Sequence, residues 1–339
     1  MDLSIVIPCY NMERYLSICL DSVVEQDIPK SEYEIIIIND GSMDNSLKIA
    51  ENYCKNYLNV RVITQANSGL GAVRNKGMDA ACGKYIYFLD SDDYIAPNIL
   101  GKLLNVMETN ELDILTFDSR SVTDNDNLLD APTLGSIENL NYKTGVEYVA
   151  SDKYKNEVWW YIINKQFLES TEIRFIVGRW MEDALFTSQL FCKARKMAHL
   201  PIVIHGYRKL PTSAMRSRTP EHYNKLIDDL ANAAISFQEI IKKVPEDTPN
   251  SIKCKSRLRT RQQSLVFFYL VRYLKSNLPL NRLPENLAMF EKKGAYPLQN
   301  FIGPDFHGIS FSVLTFIFNH KLFLYPFATL FRLLYPTVK

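Results

Sequence analysis

Asp90, Ser91, Asp92 and Asp93 place three carboxylates within four residues. Crowded acids repel one another and raise one another's pKa, a cost that a divalent cation removes. Such a cation, Mn2+ or Mg2+, takes oxygen ligands and shares them with a diphosphate. Two other short segments carry side chains suited to the same ligand, Pro8-Cys9-Tyr10-Asn11 and Asn39-Asp40-Gly41-Ser42. Pro8-Cys9-Tyr10 stands where a dinucleotide site would need glycines, so neutralising a diphosphate falls to the metal. A second acidic centre lies far along the chain, in Met181-Glu182-Asp183-Ala184-Leu185-Phe186. Each feature also has a plain structural reading. The acidic trio fits the first turn of a helix, and Asp40 fits an Asx turn before Gly41. Tyr10 fits a packed core, and Glu182-Asp183 a helix start favoured by its dipole.

These residues fall at the ends of elements with a regular order. Leu3–Ile7 is a compact apolar run stopped by Pro8, and Leu16, Cys19, Leu20, Val23 and Val24 recur at the spacing of an amphipathic helix. Tyr33–Ile38 is a second apolar run. Asp44 and Asn45 then stand where a cap would precede a helix through Leu47, Ala50, Tyr53, Cys54 and Tyr57. Val60–Thr64 and Tyr85–Leu89 are further strands around a helix from Leu70 to Ala81, and a helix near Pro97–Met107 precedes a strand at Ile114–Phe117. Continuous apolar strands alternating with helices predict an α/β fold, its mostly parallel sheet covered on both faces. Ligands of such sheets bind beyond the carboxyl ends of the strands, where the three candidate loops stand. Thr123–Tyr142 reads as a surface loop, and the pattern turns irregular from Val146. Past Arg218 it is helical again, with a helix at Asp228–Ile241 and a basic run of Lys253, Lys255, Arg257, Arg259 and Arg261.

The 339 residues allow two domains, or one large domain with an extension. Hydrophobic residues at 47% against 23% charged exclude a disordered chain, and a net charge of +1 offers no field for nucleic acid. Six cysteines are scattered without a C-x-x-C pair, the pattern of reduced, half-buried side chains rather than of disulfides or zinc. No leader pattern opens the sequence, and no unbroken apolar run reaches the roughly eighteen residues of a spanning helix. These observations point to a cytoplasmic protein.

SIVIPCYN at Ser4–Asn11, IIINDGSMDNS at Ile36–Ser46, NSGLGAVRNKGM at Asn67–Met78, GKYIYFLDSDDY at Gly83–Tyr94 and EDALF at Glu182–Phe186 together resemble glycosyltransferase family 2. These are inverting enzymes of the GT-A fold, Rossmann-like, and the order and spacing agree from residue 3 to about residue 218. Asn39 departs from the pattern, which more often has a second Asp. The resemblance implies a catalytic domain over 1–218, with a nucleotide-sugar half over about 1–120, an acceptor half over about 121–218, and a helical C-terminal region over 219–339. It places Pro8 and Tyr10 at the nucleobase, with Asp40 accepting a hydrogen bond from a uracil-type ring nitrogen. Arg74 would touch the nucleotide, and Asp90 the ribose or the metal. Asp92 would ligate the metal, with Asp93 orienting the others. Inversion requires a carboxylate that deprotonates the acceptor: the resemblance assigns Asp183 as that base and Glu182 as its acceptor-binding or supporting neighbour. Arg208 or Arg216 would neutralise leaving-group charge. Trp159 and Trp160 suit stacking on an acceptor sugar, and equally a core.

The expected activity is transfer of a hexose or N-acetylhexosamine, from a UDP-sugar by preference, to a glycan or lipid-linked glycan. The setting would be bacterial surface polysaccharide synthesis at the inner face of the cell membrane. A catalytically silent nucleotide-sugar-binding or scaffold protein is the alternative. A sugar nucleotidyltransferase would need a Gly-rich, basic first loop, which Tyr10-Asn11-Met12 is not. From Ile309 to Val338 the only formal charges are Lys321 and Arg332, with Pro326 and Pro336 breaking the run. This segment is either a helical hairpin packed on the protein or an element in a membrane interface, aided by the basic run at Lys253–Arg261.

Overall fold

The computed structural model describes residues 1–124, 126, 128–132, 140–210, 219–245, 247–303 and 305–335. The chain divides into two compact units: Met1–Tyr148 with Lys153–Leu210, and Val149–Asp152 with Pro211–Lys339. Part of the expected 123–142 loop, and the expected boundary at 218, lie outside the described residues.

The first unit opens with strands and helices in alternation: β1 (Leu3–Cys9), α1 (Leu16–Val24), β2 (Tyr33–Asn39), α2 (Ser46–Asn56), β3 (Val60–Thr64), α3 (Leu70–Ala80) and β4 (Tyr85–Phe88). Then follow β5 (Tyr94–Ile95), α4 (Leu100–Thr109), β6 (Ile114–Val122), α5 (Gly145–Ser151), β7 (Tyr161–Asn164), α6 (Lys165–Thr171), α7 (Glu182–Lys193) and β8 (Met197–Arg208). One sheet carries the order β3-β2-β1-β4-β7-β6-β8-β5. Its first four strands are parallel. Every residue of β1, β2 and β4 is buried, because helices cover both faces and leave no side for polar alternation. The second half is mixed: β7 runs antiparallel to both neighbours, β5 is antiparallel to β8, and β6 is parallel to β8. The sheet is therefore less uniformly parallel than the repeats near the N-terminus predict, within the α/β class expected.

The second unit is helical in its described residues: α8 (Pro220–Lys243), α9 (Pro249–Lys275), α10 (Leu283–Lys292), α11 (Ile309–Asn319) and α12 (Lys321–Leu334). Leu226, Leu230, Ala233 and Phe237 form the buried stripe of α8, at the spacing of one helix face. Phe267 of α9 stacks on Phe301 at 4.3 Å and meets Phe311 and Phe318 at 5.5 and 5.4 Å. The basic run lies on α9, where two of its members are spent internally. Arg257 donates to Asp152 O at 2.5 Å and Arg259 to Gly294 O at 3.1 Å. These two are thus withdrawn from the outward basic surface the sequence suggested. The C-terminal run breaks at His320 rather than at Pro326, which sits inside α12. A proline there forfeits one backbone bond and crowds the carbonyl four residues back, yet the helix runs through it. Among the described residues no single helix is long and apolar enough to cross a membrane. The pair α11–α12 passes that test jointly but bends by 112°.

Candidate active site

β1 and β2 run in register from Leu3 opposite Tyr33 to Cys9 opposite Asn39, and Val6 faces Phe88 across the other ladder. The loops that follow therefore open at one edge of the sheet. Asp90-Ser91-Asp92-Asp93 turns directly after β4, closed by Asp93 N–H donating to Asp90 O at 3.0 Å. Asp93 is buried and satisfied: its Oδ1 accepts from Arg208 N–H at 2.7 Å, and its Oδ2 meets His205 Nε2 at 2.8 Å. The Asp92 carboxylate is partly exposed and, among the described residues, makes no hydrogen bond or ion pair to another side chain. Burial, and then the charges of Asp93 and Asp90, push its pKa up to about 8.

Among the described residues no three acidic, His or Cys side chains converge as a ready-made metal cage. Mg2+ and Mn2+ sites of this kind are built otherwise, from one or two carboxylates completed by phosphate oxygens and water. An unpaired, charge-crowded Asp92 beside a partly exposed Asp90 fits that donor set.

A buried guanidinium links this loop to the second acidic centre. Arg74, on α3, donates from Nη1 to Glu182 Oε1 at 2.9 Å and from Nη2 to Asp90 Oδ1 at 3.1 Å. Its Nε is buried without a partner. At 2% exposure Arg74 is enclosed between carboxylates, with its guanidinium engaged by the protein rather than open to a nucleotide. Glu182 is 5% exposed and its carboxylate is held by Arg74, which suits the supporting place beside Asp183 better than direct contact with an acceptor. Asp183 differs: it is partly exposed, and its Oδ1 accepts from Ala184 N–H at 2.7 Å in the first turn of α7. Burial and then the Glu182 charge raise its pKa well above the ordinary carboxylate value, with Arg74 opposing. Two acids that spacing alone leaves equivalent are thus separated by environment. Glu182 is locked in an ion pair with Arg74, and among the described residues Asp183 is not.

The remaining expected residues are placed as follows. Tyr10 stands at the end of β1 with 42% of its surface exposed, so the packed-core reading fails and its ring is available. Pro8 is buried within β1 opposite Ile38, one residue before the end of the strand. Asp40 is buried and accepts from Gln65 Nε2 at 2.8 Å, Ser68 N–H at 2.9 Å and Gly69 N–H at 2.9 Å. It organises the loop after β3, and a carboxylate's four or so lone-pair sites leave room for about one further donor. Arg208 lies against the acidic loop, donating from Nε to Asp92 O at 3.0 Å and from Nη1 to Asp124 Oδ1 at 2.8 Å. Arg216 lies outside the described residues. Trp160 is core, with its Nε1–H donating to Glu157 O at 2.9 Å and its ring against Tyr161 and Phe191. That corrects its expected stacking on an acceptor.

Sequence reasoning missed His205 and the loop after β3. His205 is fully buried, meets Tyr87 Oη through Nδ1 at 2.8 Å, and stacks on Trp159 at 4.3 Å. Burial pushes its pKa down to about 3, so the ring is neutral. Tyr87 O–H donates to Trp159 O at 3.0 Å, so the Tyr87 hydroxyl ties His205 to the turn that carries Trp159. Burial likewise raises the pKa of Asp93 well above the ordinary carboxylate value. No local signal marks a histidine 112 residues from its carboxylate. The Ser68 and Gly69 amides were legible only as part of the NSG motif.

The model of the glycosyl transferase family 2 matches residues 4–174, half of the chain. The uncharacterized glycosyltransferase EpsJ of Bacillus subtilis (strain 168) is 34% identical over 217 residues, which is 62% of this chain and 62% of that relative. A crystal structure of S. aureus TarS 1-349 in complex with UDP-GlcNAc is similar with a TM-score of 0.62 at 23% identity, over 86% of this chain and 81% of that one. The mannosyltransferase PcManGT from Pyrobaculum calidifontis, in complex with GDP-Man and Mn2+, is similar with a TM-score of 0.53 at 12% identity, over 94% and 86%. At these identities the two structures establish a shared fold.

Proposed function

Because the chain belongs to glycosyl transferase family 2, we propose that it is an inverting glycosyltransferase. It moves a sugar from a nucleotide-diphosphate sugar, a UDP-sugar by preference, to a glycan or lipid-linked glycan of the bacterial surface, at the inner face of the cell membrane. One observation carries this reading: the Arg74 bridge holds the Asp90–Asp92 loop and the Glu182–Asp183 turn in a single buried network. One acidic centre is suited to a diphosphate and the other to an acceptor. The UDP-GlcNAc and the GDP-Man with Mn2+ bound by structures of the same fold support it.

Asp183 takes the proton of the acceptor hydroxyl while that oxygen forms its bond to the anomeric carbon. The bond from that carbon to the diphosphate breaks on the opposite face, and its electron pair leaves with the nucleoside diphosphate. No covalent intermediate on the protein is needed. Tyr10 offers its exposed ring to the nucleobase, Asp40 its remaining acceptor site, and Arg208 a positive charge near the diphosphate. When bound, a divalent cation held by Asp92 with Asp90 supplies charge neutralisation to that diphosphate. Arg74 and Glu182 hold the two acids at a fixed spacing and touch neither substrate.

Calorimetric titration and turnover against a panel of nucleotide sugars test the reading. The expected outcome is UDP-sugar binding and slow nucleoside diphosphate release, both strengthened by Mn2+ and both insensitive to it in Asp92→Ala. Binding without any turnover would favour the silent scaffold, and full activity in excess chelator would remove the metal from the account.

A further inference from the structure

The segment 155–160 touches both acidic centres. Glu157 O accepts from Thr187 Oγ1 at 3.4 Å and from Trp160 Nε1 at 2.9 Å. Thr187 stands one turn after Asp183 on the same face of α7, so Glu157 is pinned beside the candidate base. Two residues on, the Trp159 ring lies flat on two residues of β8. It meets His205 at 4.3 Å and Tyr207 at 5.1 Å, with 8° and 17° between ring planes. His205 reaches Asp93 at 2.8 Å, which ties the stack to the acidic loop. Glu157 and Tyr207 are both half-buried, and among the described residues the Glu157 carboxylate and the Tyr207 hydroxyl make no hydrogen bond or salt bridge. Burial, then Glu182 and Glu157, raise the pKa of Asp183, and burial, then Asp93 and Glu157, raise that of Tyr207. The Glu157 charge is thus felt at both.

We propose that Glu157 and Tyr207 form the acceptor subsite, and that the residue it takes is an uncharged sugar. The inference rests on the transferase reading above and names the class of its acceptor. A pyranose has an apolar C–H face and a rim of hydroxyl donors. Tyr207 offers that face a ring surface not covered by Trp159, the part that Trp160, being core, cannot play. Glu157, an acceptor without a partner, takes hydrogen bonds from hydroxyls beside the attacking one. A carboxylate held next to Asp183 without a counter-ion costs the fold stability, and donors from a ligand offset that cost. A phosphate or carboxylate on the acceptor would instead meet Asp183, Glu157 and Asp92, three like charges that reject it. Lys155, the neighbouring cation, is engaged elsewhere: its Nζ donates to Ser119 Oγ and stands 5.1 Å from the Trp159 ring centre.

Initial rates with the preferred nucleotide sugar and nitrophenyl glycosides as acceptors provide the test, the neutral glucoside and N-acetylglucosaminide set against the anionic glucuronide. Wild type should use a neutral glycoside at a lower KM than the glucuronide. In Glu157→Gln the KM for the neutral glycoside should rise about tenfold or more, with kcat within about threefold of wild type. Its preference for neutral over anionic acceptor should shrink, and its nucleotide affinity should not change. Tyr207→Phe keeps the ring and should keep the acceptor KM, whereas Tyr207→Ala should raise it. An unchanged acceptor KM in Glu157→Gln or Tyr207→Ala, or a lost kcat at unchanged KM, would overturn the inference and leave the transferase reading standing. So would a wild type that releases nucleoside diphosphate but prefers the glucuronide or uses no neutral glycoside. Nucleotide affinity falling together with acceptor affinity would mark a merely structural role and overturn it as well. A wild type that releases no nucleoside diphosphate from any nucleotide sugar would remove the transferase reading, and the inference with it.

Discussion

Asp183 and Glu182 sit side by side at the start of α7, yet among the described residues only Glu182 has a counter-ion in contact. The raised pKa of Asp183 has a consequence for stability whose sign can be worked out. In the unfolded chain its carboxyl ionises near pH 4, and in the fold only at higher pH, because of burial and then the Glu182 charge. From about pH 4 upward the unfolded state gains ionisation free energy that the native state lacks, so this group costs the fold stability as pH rises. Asp183→Asn removes that cost. Its Tm is expected to exceed wild type at about pH 8, by a margin that shrinks toward zero near pH 4. A margin constant with pH, or a wild type more stable at the alkaline end, would show that Asp183 is not strained in the fold. At this scale the sequence reports which acids are present but not which are free. Arg74 reads as a ligand contact in the motif and is spent between Glu182 and Asp90. Trp160 reads as a platform and is core. Both outcomes depend on tertiary burial, which no local spacing encodes.

Among the elements, α3 carries Arg74 to its place and depends on a glycine to do so. A Cβ on Gly77 would lie 2.2 Å from Val6 Cγ1, inside a strand whose residues are all buried. Gly77→Ala must push α3 away from β1, at a cost of about 1–3 kcal/mol for overpacking. Chemical denaturation should read that loss, and activity should fall with it because Arg74 moves on the same helix. A variant as stable and active as wild type would mean that α3 can shift freely. The alternation of β1 to β4 with their helices was legible because each strand is a continuous apolar run bounded by polar turns. The second half of the sheet was not. β7 is four residues long, too short for a period, and β8 meets β6 with register shifts between Phe117 and Asp118 and between Asp118 and Ser119. Pro326 misled in the same way, since a proline signals a break in sequence but is tolerated inside α12.

For the whole molecule, the first unit is built to bring the loops after β1, β2, β3 and β4 to one sheet edge, with the start of α7 tied to them through Arg74. The second unit ends in two helices whose outward faces are apolar and free of carboxylates. The central claim concerns the first unit: a donor site and a proton acceptor that are separate groups serving one transfer. Turnover and nucleotide affinity must then come apart on one substitution. The measurement is the rate of nucleoside diphosphate release from the preferred nucleotide sugar, with Mn2+ and acceptor present, alongside the affinity for that nucleotide, in wild type and Asp183→Asn. The account predicts a rate lower by roughly two to four powers of ten in the variant, with nucleotide affinity essentially unchanged. Turnover near that of wild type in Asp183→Asn, with Glu182→Gln inactive at full stability, would contradict it.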